Sequence, residues 1–131
     1  MLRVTLSSRG LRVQYQSDYI LRVIDQMGAV LREASARLRG GDESAETFAL
    51  IEGAIELVVD MDAKLFLRLS PQAMLSFIEL SDLDDRVVGK LAETLELEAD
   101  VLDSEGSIVE ARVRREQSKV LMSTIGPMHA N

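Results

Sequence analysis

The chain is poor in the residues that most often carry chemistry. It has no cysteine and no tryptophan, and its single histidine, His129, lies close to the end of the sequence. The lack of cysteine excludes disulfides and thiolate metal sites, and it is typical of a reducing cytosol. A serine nucleophile needs a base within reach, and a di-iron bundle needs Glu-x-x-His pairs. Neither requirement is met, because no histidine lies among the predicted helical segments. We therefore predict no catalytic residue, no cofactor and no metal ligand.

Long apolar runs and aromatic residues are also scarce. No apolar run approaches the roughly 20 residues that span a bilayer, and arginines at positions 3, 9 and 12 interrupt the first stretch, which does not resemble a signal peptide. The chain has three phenylalanines and two tyrosines, so its core must be aliphatic. With 131 residues, 47% hydrophobic and 28% charged, the composition predicts one soluble helical domain in the cytoplasm and no membrane partner.

Positive charge is concentrated in the first third of the chain. Residues 1–39 contain seven arginines and three acidic residues, a net charge of +4, so the remainder carries −11 within the total of −7. A nucleic-acid-binding domain usually has a concentrated basic stripe, whereas this acidic bulk would repel phosphate. Nucleic acid is therefore not an expected partner.

Hydrophobic spacing predicts two helices that form an antiparallel hairpin. The first spans residues 18–39, with apolar positions three and four apart, and Gly40-Gly41 ends it. The second has Asp42 or Ser44 as its N-cap and continues to about residue 61. Its apolar residues cover both flanks, about twice the width of a usual surface stripe, so we expect it to lie between two neighbours.

Three further helices follow in the prediction. Ser70-Pro71 provides an N-cap and a first-turn proline for a short helix that ends near residue 80. Ser81 or Asp82 caps a longer helix that ends near residue 103. The fold class predicted is all-α, with about five helices, in which the antiparallel hairpin packs on a second helical layer.

The last predicted helix begins at a capping box and sets one end of the domain. Ser107 and Glu110 form this S-x-x-E pattern directly after a glycine, but few apolar residues follow, so we expect an amphipathic and peripheral helix. The predicted organisation is a mobile arm at 1–16, a single helical domain at 17–122 and a flexible tail at 123–131.

One segment resembles a known family. Gly41 to Asp62 looks like the second helix of a tetratricopeptide-type hairpin, because it combines small residues with an apolar run: Ala45, Ala49, Ala54, Ile51, Ile55 and Val58. Together with the preceding helix and the break at Leu69-Ser70-Pro71, it is similar to small, functionally uncharacterised bacterial proteins of tetratricopeptide-like fold. The resemblance implies a fold and a class of role, and no functional residues.

Surplus hydrophobic surface favours a non-enzymatic module for protein–protein interaction, either a homo-oligomer or an adaptor. The second helix is apolar on both flanks, and the fourth carries a second stripe. Leu83, Leu97 and Val101 form this second stripe, and we predict that they are the interaction patch. The last helix is the competing occupant of the same stripe.

The alternative is a magnesium-dependent, all-α nucleotide hydrolase. Carboxylates three or four residues apart share one face of a helix and can hold a hydrated metal between them. The candidate ligand sets are Glu93, Glu96 and Asp100, and Glu52, Glu56 and Asp60. No basic cluster in the sequence accompanies these acids to bind phosphates, so a solvated acidic face is the competing interpretation.

Overall fold

All regular structure in the described part of the chain is helical. The computed structural model describes the backbone of residues 9–125 and the side chains of residues 18–125, and no strand occurs there. The helices are α1 (Arg9–Gly40), α2 (Ser44–Glu56), α3 (Ala63–Leu67), α4 (Pro71–Ser81), α5 (Asp85–Ser104) and α6 (Ile108–Met122). The all-α prediction is confirmed, and α3 is the additional short helix. No helix in residues 9–125 is long and apolar enough to cross a membrane.

The first helix begins earlier than predicted and ends where predicted. α1 begins at Arg9, so residues 9–16, which the sequence assigned to an arm, are helical, whereas 1–8 lie outside the described residues. At its other end Gly41 has φ 74°. The N–H of Asp42 donates to the Arg37 carbonyl at 3.0 Å and that of Gly41 to Leu38 at 3.2 Å. This left-handed end satisfies two of the last carbonyls of α1.

The second helix is shorter than predicted because the chain turns after Glu56. The Glu56 carboxylate accepts a hydrogen bond from the Ala63 N–H at 2.8 Å. Asp62 accepts from the N–H groups of Lys64 and Leu65 at 3.1 and 3.3 Å. Both acids therefore cap α3. The predicted caps of α2 are wrong, since its N-cap is Glu43, which makes no side-chain capping bond.

The remaining helix starts combine confirmed and corrected caps. Ser70 accepts from the Ala73 N–H at 3.1 Å, with proline in the first turn of α4, as predicted. α5 is capped by Asp84, which accepts from the Arg86 N–H at 2.8 Å. Asp82, one of the predicted caps, instead ends α4 in a left-handed conformation.

The junction between α5 and α6 ends one helix and begins the next within three residues. Gly106 ends α5 with φ 83°, and Ser107 is the N-cap of α6 without a side-chain capping bond. The capping box is incomplete because the Ser107 N–H, which Glu110 would accept, already donates to the Leu102 carbonyl at 2.8 Å.

α5 is the central helix of the described fold. It packs against α1, α2 and α6, while α4 packs against α6 and α3 against α2. The core is aliphatic, with one edge-to-face contact between Phe66 and Phe77 at 5.8 Å. α6 is not peripheral, since Gln117 and Leu121 are fully buried. Its apolar pattern is thin because part of its buried face is polar.

Glycine geometry gives a stability prediction with an internal control. Gly106→Ala should lower the free energy of unfolding by about 1–2 kcal/mol, because a side chain disfavours its left-handed backbone. Gly53→Ala, at an exposed position inside α2 with no atom within 4 Å of the new Cβ, should raise it by about 0.5–1 kcal/mol. Urea denaturation of both variants measures this, and effects of equal sign would contradict the assigned helix end.

Candidate functional site

The predicted interaction patch does not form a common exposed surface. Leu97 is 9% and Val101 1% exposed, and both belong to the main buried core cluster. Leu83 is half-buried and precedes α5, where it lines a cavity with Tyr19 and Leu57. The prediction of an outward patch is therefore wrong. The physical reason is that α5 has helices on several sides, so both of its apolar stripes are used within the chain.

The acids of the first predicted metal site are engaged in ion pairs. Arg115 of α6 donates to Glu96 at 2.8 Å, Asp100 at 3.1 Å and Asp103 at 2.6 Å. These hydrogen bonds, led by the one to Asp103, raise the pKa of Arg115. Glu93 accepts from Lys90 at 3.1 Å. The acidic stripe of α5 thus fixes the outer edge of α6 by neutralising one guanidinium.

The second predicted set of ligands is also used locally. Both oxygens of Glu52 accept from the Lys64 ammonium, at 3.1 and 3.2 Å, and Glu56 caps α3. Asp60 is exposed in the turn after α2. Within residues 9–125 no group of three or more histidines or acids is arranged to hold a metal ion. In the structure Glu52 therefore serves as an ion-pair partner and Glu56 as a helix cap.

A buried polar network fixes α6 against the turn between α3 and α4. Arg114 donates to the Leu67 carbonyl at 3.0 Å, to the Gln117 side-chain oxygen at 3.1 Å and to Glu98 at 3.2 Å. The Gln117 amide donates to the carbonyls of Leu67 and Leu69 at 2.9 and 2.8 Å. A short helix leaves its last carbonyls without partners, and here a charged and a neutral donor satisfy them.

Glu98 is the acid within this network, and its environment is unusual for a carboxylate. Its side chain is 6% exposed, and that of its partner Arg114 is 14% exposed. Burial raises the pKa of Glu98, which the charge of Arg114 partly offsets, while the nearby Glu52 adds to the rise. Arg114 bonds to three elements of the fold, through Glu98 on α5, Gln117 on α6 and the Leu67 carbonyl at the end of α3. The pair is therefore part of a polar contact between α5, α6 and the α3–α4 turn.

An open groove lies between α1, α5 and α6, and we call it the α1/α6 groove. It has a volume of about 650 Å³. Leu21 on α1 and Met122 at the end of α6 are 49% and 43% exposed. Ile24 and Ile125 are half-buried at the same place. The complete lining is Leu21, Ile24, Asp85, Arg86, Gly89, Lys90, Ala92, Glu93, Glu96, Ser118, Met122 and Ile125.

Sequence reasoning missed this groove for an identifiable reason. Leu21 lies beside the predicted core stripe of the first helix, and Met122 lies at the end of a helix with a weak pattern. Neither position is distinctive in one helix alone. The groove exists because α5 places small residues, Gly89 and Ala92, between two larger apolar walls, and that juxtaposition requires the packing of three helices.

The corrected location of Leu97 gives a prediction. Leu97→Glu should lower the free energy of unfolding by about 3 kcal/mol or more, because it places a carboxylate without a partner in the core. Leu80→Glu is the matched control, since Leu80 is 87% exposed, and should change stability by less than about 0.5 kcal/mol. Chemical denaturation of both proteins tests this, and equal effects would contradict the burial of Leu97.

The Glu98–Arg114 pair predicts that the loss of stability caused by Arg114→Ala depends on pH. Arg114→Ala should destabilise the protein by about 3–5 kcal/mol at neutral pH, because it leaves a buried carboxylate without a cation. Since the pKa of Glu98 is raised in the folded protein, folding takes up a proton, and stability falls as pH rises from the ordinary value near 4.5 through the raised one. The cost of Arg114→Ala should therefore shrink on acidification.

Denaturation at neutral and mildly acidic pH measures this shrinkage. In the Glu98→Gln background the titrating group is absent, so the cost of Arg114→Ala should be the same at both pH values. A cost in the natural background that is equal at both pH values would show that the Leu67 hydrogen bond, and not the buried charge, dominates.

Comparison with known proteins adds no assignment to this geometry. The resemblance to proteins of tetratricopeptide-like fold consequently stays a prediction from sequence, and the described packing is the basis for a functional proposal. No family model, no curated protein and no solved structure matches the chain.

Proposed function

We propose that this chain is a cytoplasmic, non-enzymatic module that binds protein through the α1/α6 groove. The observation that carries the proposal is the grouping of half-exposed apolar side chains, Leu21 and Met122, around one concavity. Single exposed apolar residues are normal on a protein surface, whereas apolar residues grouped in a groove are typical of interaction sites. Covering them removes apolar area from water, which favours association.

The surroundings of the groove support a protein as its occupant. Lys90 and Glu93 form an ion pair at 3.1 Å, and Arg86 pairs with Asp84 at 3.0 Å. Lys90, Glu93 and Arg86 all line the groove, so its apolar walls are bordered by charged groups. An apolar centre with a polar rim is the usual organisation of a protein interface.

The groove is also suited to a helical or extended segment rather than to an enclosed small molecule. It lies open along three helices, and its walls are the side chains of Leu21 and Ile24 on one side and of Met122 and Ile125 on the other. Apolar residues spaced along a partner helix dock into grooves of this kind. The proposal therefore covers both self-association and binding to another protein.

Leu21→Asp tests the proposed function. The substitution places a charge in the apolar wall and should weaken association at least about tenfold, the effect of roughly 1.4 kcal/mol. Because Leu21 is half-exposed, the melting temperature should change by no more than a few degrees. Leu80→Asp introduces the same charge at an exposed leucine outside the groove and is the matched control.

Two measurements cover the two forms of the function. Sedimentation velocity reports self-association, and quantitative mass spectrometry of proteins that co-purify with the tagged chain reports other partners. A loss in either measurement with Leu21→Asp, but not with Leu80→Asp, is the expected result. If the two variants behaved alike in both measurements, the groove would not be the interaction site.

A further inference from the structure

The solvent-facing side of α1 carries an ordered set of charges, which we call the outer face of α1. Its members are exposed and follow one another three, four or seven positions apart along the helix, so they lie on one side of it. They are Asp18, Arg22, Asp25, Arg32 and Arg39, with the uncharged Ala29 among them. The acids at 18 and 25 lie in the first half of this face, and the arginines at 32 and 39 lie in the second half.

The charges of this face have no ion-pair partner among the described residues, which is also true of several exposed charges elsewhere in the described chain. Arg37, on the side of α1 that faces α2, pairs with Glu33 at 3.3 Å, Asp42 at 3.6 Å and Glu46 at 2.6 Å. No comparable pair joins Asp18, Asp25, Arg32 or Arg39 to any part of the chain that the structure describes. Their spacing is therefore not explained by contacts within the fold.

The spacing is self-complementary when two α1 helices run antiparallel. Positions 18, 25, 32 and 39 are seven residues apart, the period at which helix faces stay in register across a left-handed pair. If Asp18 of one copy lies opposite Arg39 of the other, Asp25 lies opposite Arg32. The two-fold axis makes each pairing occur twice. A parallel pair would place like charges opposite each other, so the pattern favours one orientation.

The centre and the flank of this register also fit. The two-fold axis falls between positions 28 and 29, so the exposed Ala29, a small residue, lies near the place where the helices come closest. Leu21, which is half-exposed in the α1/α6 groove, lies opposite Ala36 of the second copy. The same contact that pairs the charges thus covers an apolar wall of the groove.

We propose that the outer face of α1 is a two-fold interface at which a second copy of this chain binds antiparallel, with Asp18 opposite Arg39 and Asp25 opposite Arg32. The inference rests on the proposed interaction function and names its partner. Exposed ion pairs each contribute little, so their part is to set orientation and register, while the covered apolar surface supplies affinity. The interface is isologous, as in most homodimers.

Two charge-reversal variants test the pairing. Asp18→Arg/Asp25→Arg makes the outer face entirely basic, and Arg32→Asp/Arg39→Asp leaves it with a single basic residue, Arg22. Each variant alone should repel itself, and sedimentation equilibrium at low salt should give the monomer mass of 14.5 kDa instead of twice that value. Mixed in equal amounts, the two variants should form a one-to-one dimer, and the protein with all four changes should dimerise by itself.

A control separates pairing from net charge. Arg68→Asp/Arg112→Asp changes the net charge by the same amount as Arg32→Asp/Arg39→Asp, but at exposed positions outside the face. This control should remain dimeric. Circular dichroism at the helix band confirms that each variant is folded. Raising the salt concentration should weaken the natural dimer and the mixed dimer alike.

Each outcome decides the inference. Loss of the dimer in both single-sign variants together with its return in the mixture supports the antiparallel pairing. A monomeric natural chain, or dimers that persist in both variants, overturns it. In those cases Leu21→Asp still tests the proposed function separately, because a groove that binds another protein, or a dimer through the groove alone, would still be disrupted by it.

Discussion

The position of α6 depends on one buried polar contact, in which Arg114 and Gln117 supply hydrogen bonds to the carbonyls of Leu67 and Leu69. Without these hydrogen bonds the buried carbonyls at the end of α3 would lack partners. The polar side chains that α6 places in the core would lack partners as well. The contact is specific, because an amide and a guanidinium must both reach the same turn. Apolar contacts alone allow a helix to slide or rotate, whereas this network fixes both its height and its rotation.

The placement of α6 in turn defines the surface that we propose for binding. Met122 and Ile125 follow the buried part of α6 and form one wall of the α1/α6 groove, whose other wall is α1. Arg115 pairs with three acids along α5 and holds the solvent side of α6 in place. The groove is thus a consequence of two polar attachments on one helix, one buried and one exposed.

Much of the fold was predictable from local signals, and most of the site was not. Gly40-Gly41 ends α1 through its backbone conformation, and Ser70-Pro71 begins α4 through a capping hydroxyl. Both signals act within a few residues, so the sequence alone predicts them. Gln117 gives no signal in the hydrophobic pattern, because its partners are carbonyls 48 and 50 positions away. Leu97 and Val101 were correctly recognised as a second apolar stripe, but a stripe does not state which surface covers it.

The contacts that α6 makes with α5 and with the α3–α4 turn differ in how far apart the contacting residues lie in the sequence. Only three residues, 105–107, connect α5 to α6, so their contacts join groups close in sequence, such as Arg115 and Asp103. The bond from Gln117 to Leu67 closes a loop of 50 positions. Closing a long loop costs more conformational entropy, and this cost slows the formation of the contact. The α5–α6 pair is therefore expected to assemble early during folding. The α3–α4 turn then docks onto a preformed helical hairpin, so its carbonyls are the last polar groups of this network to leave water.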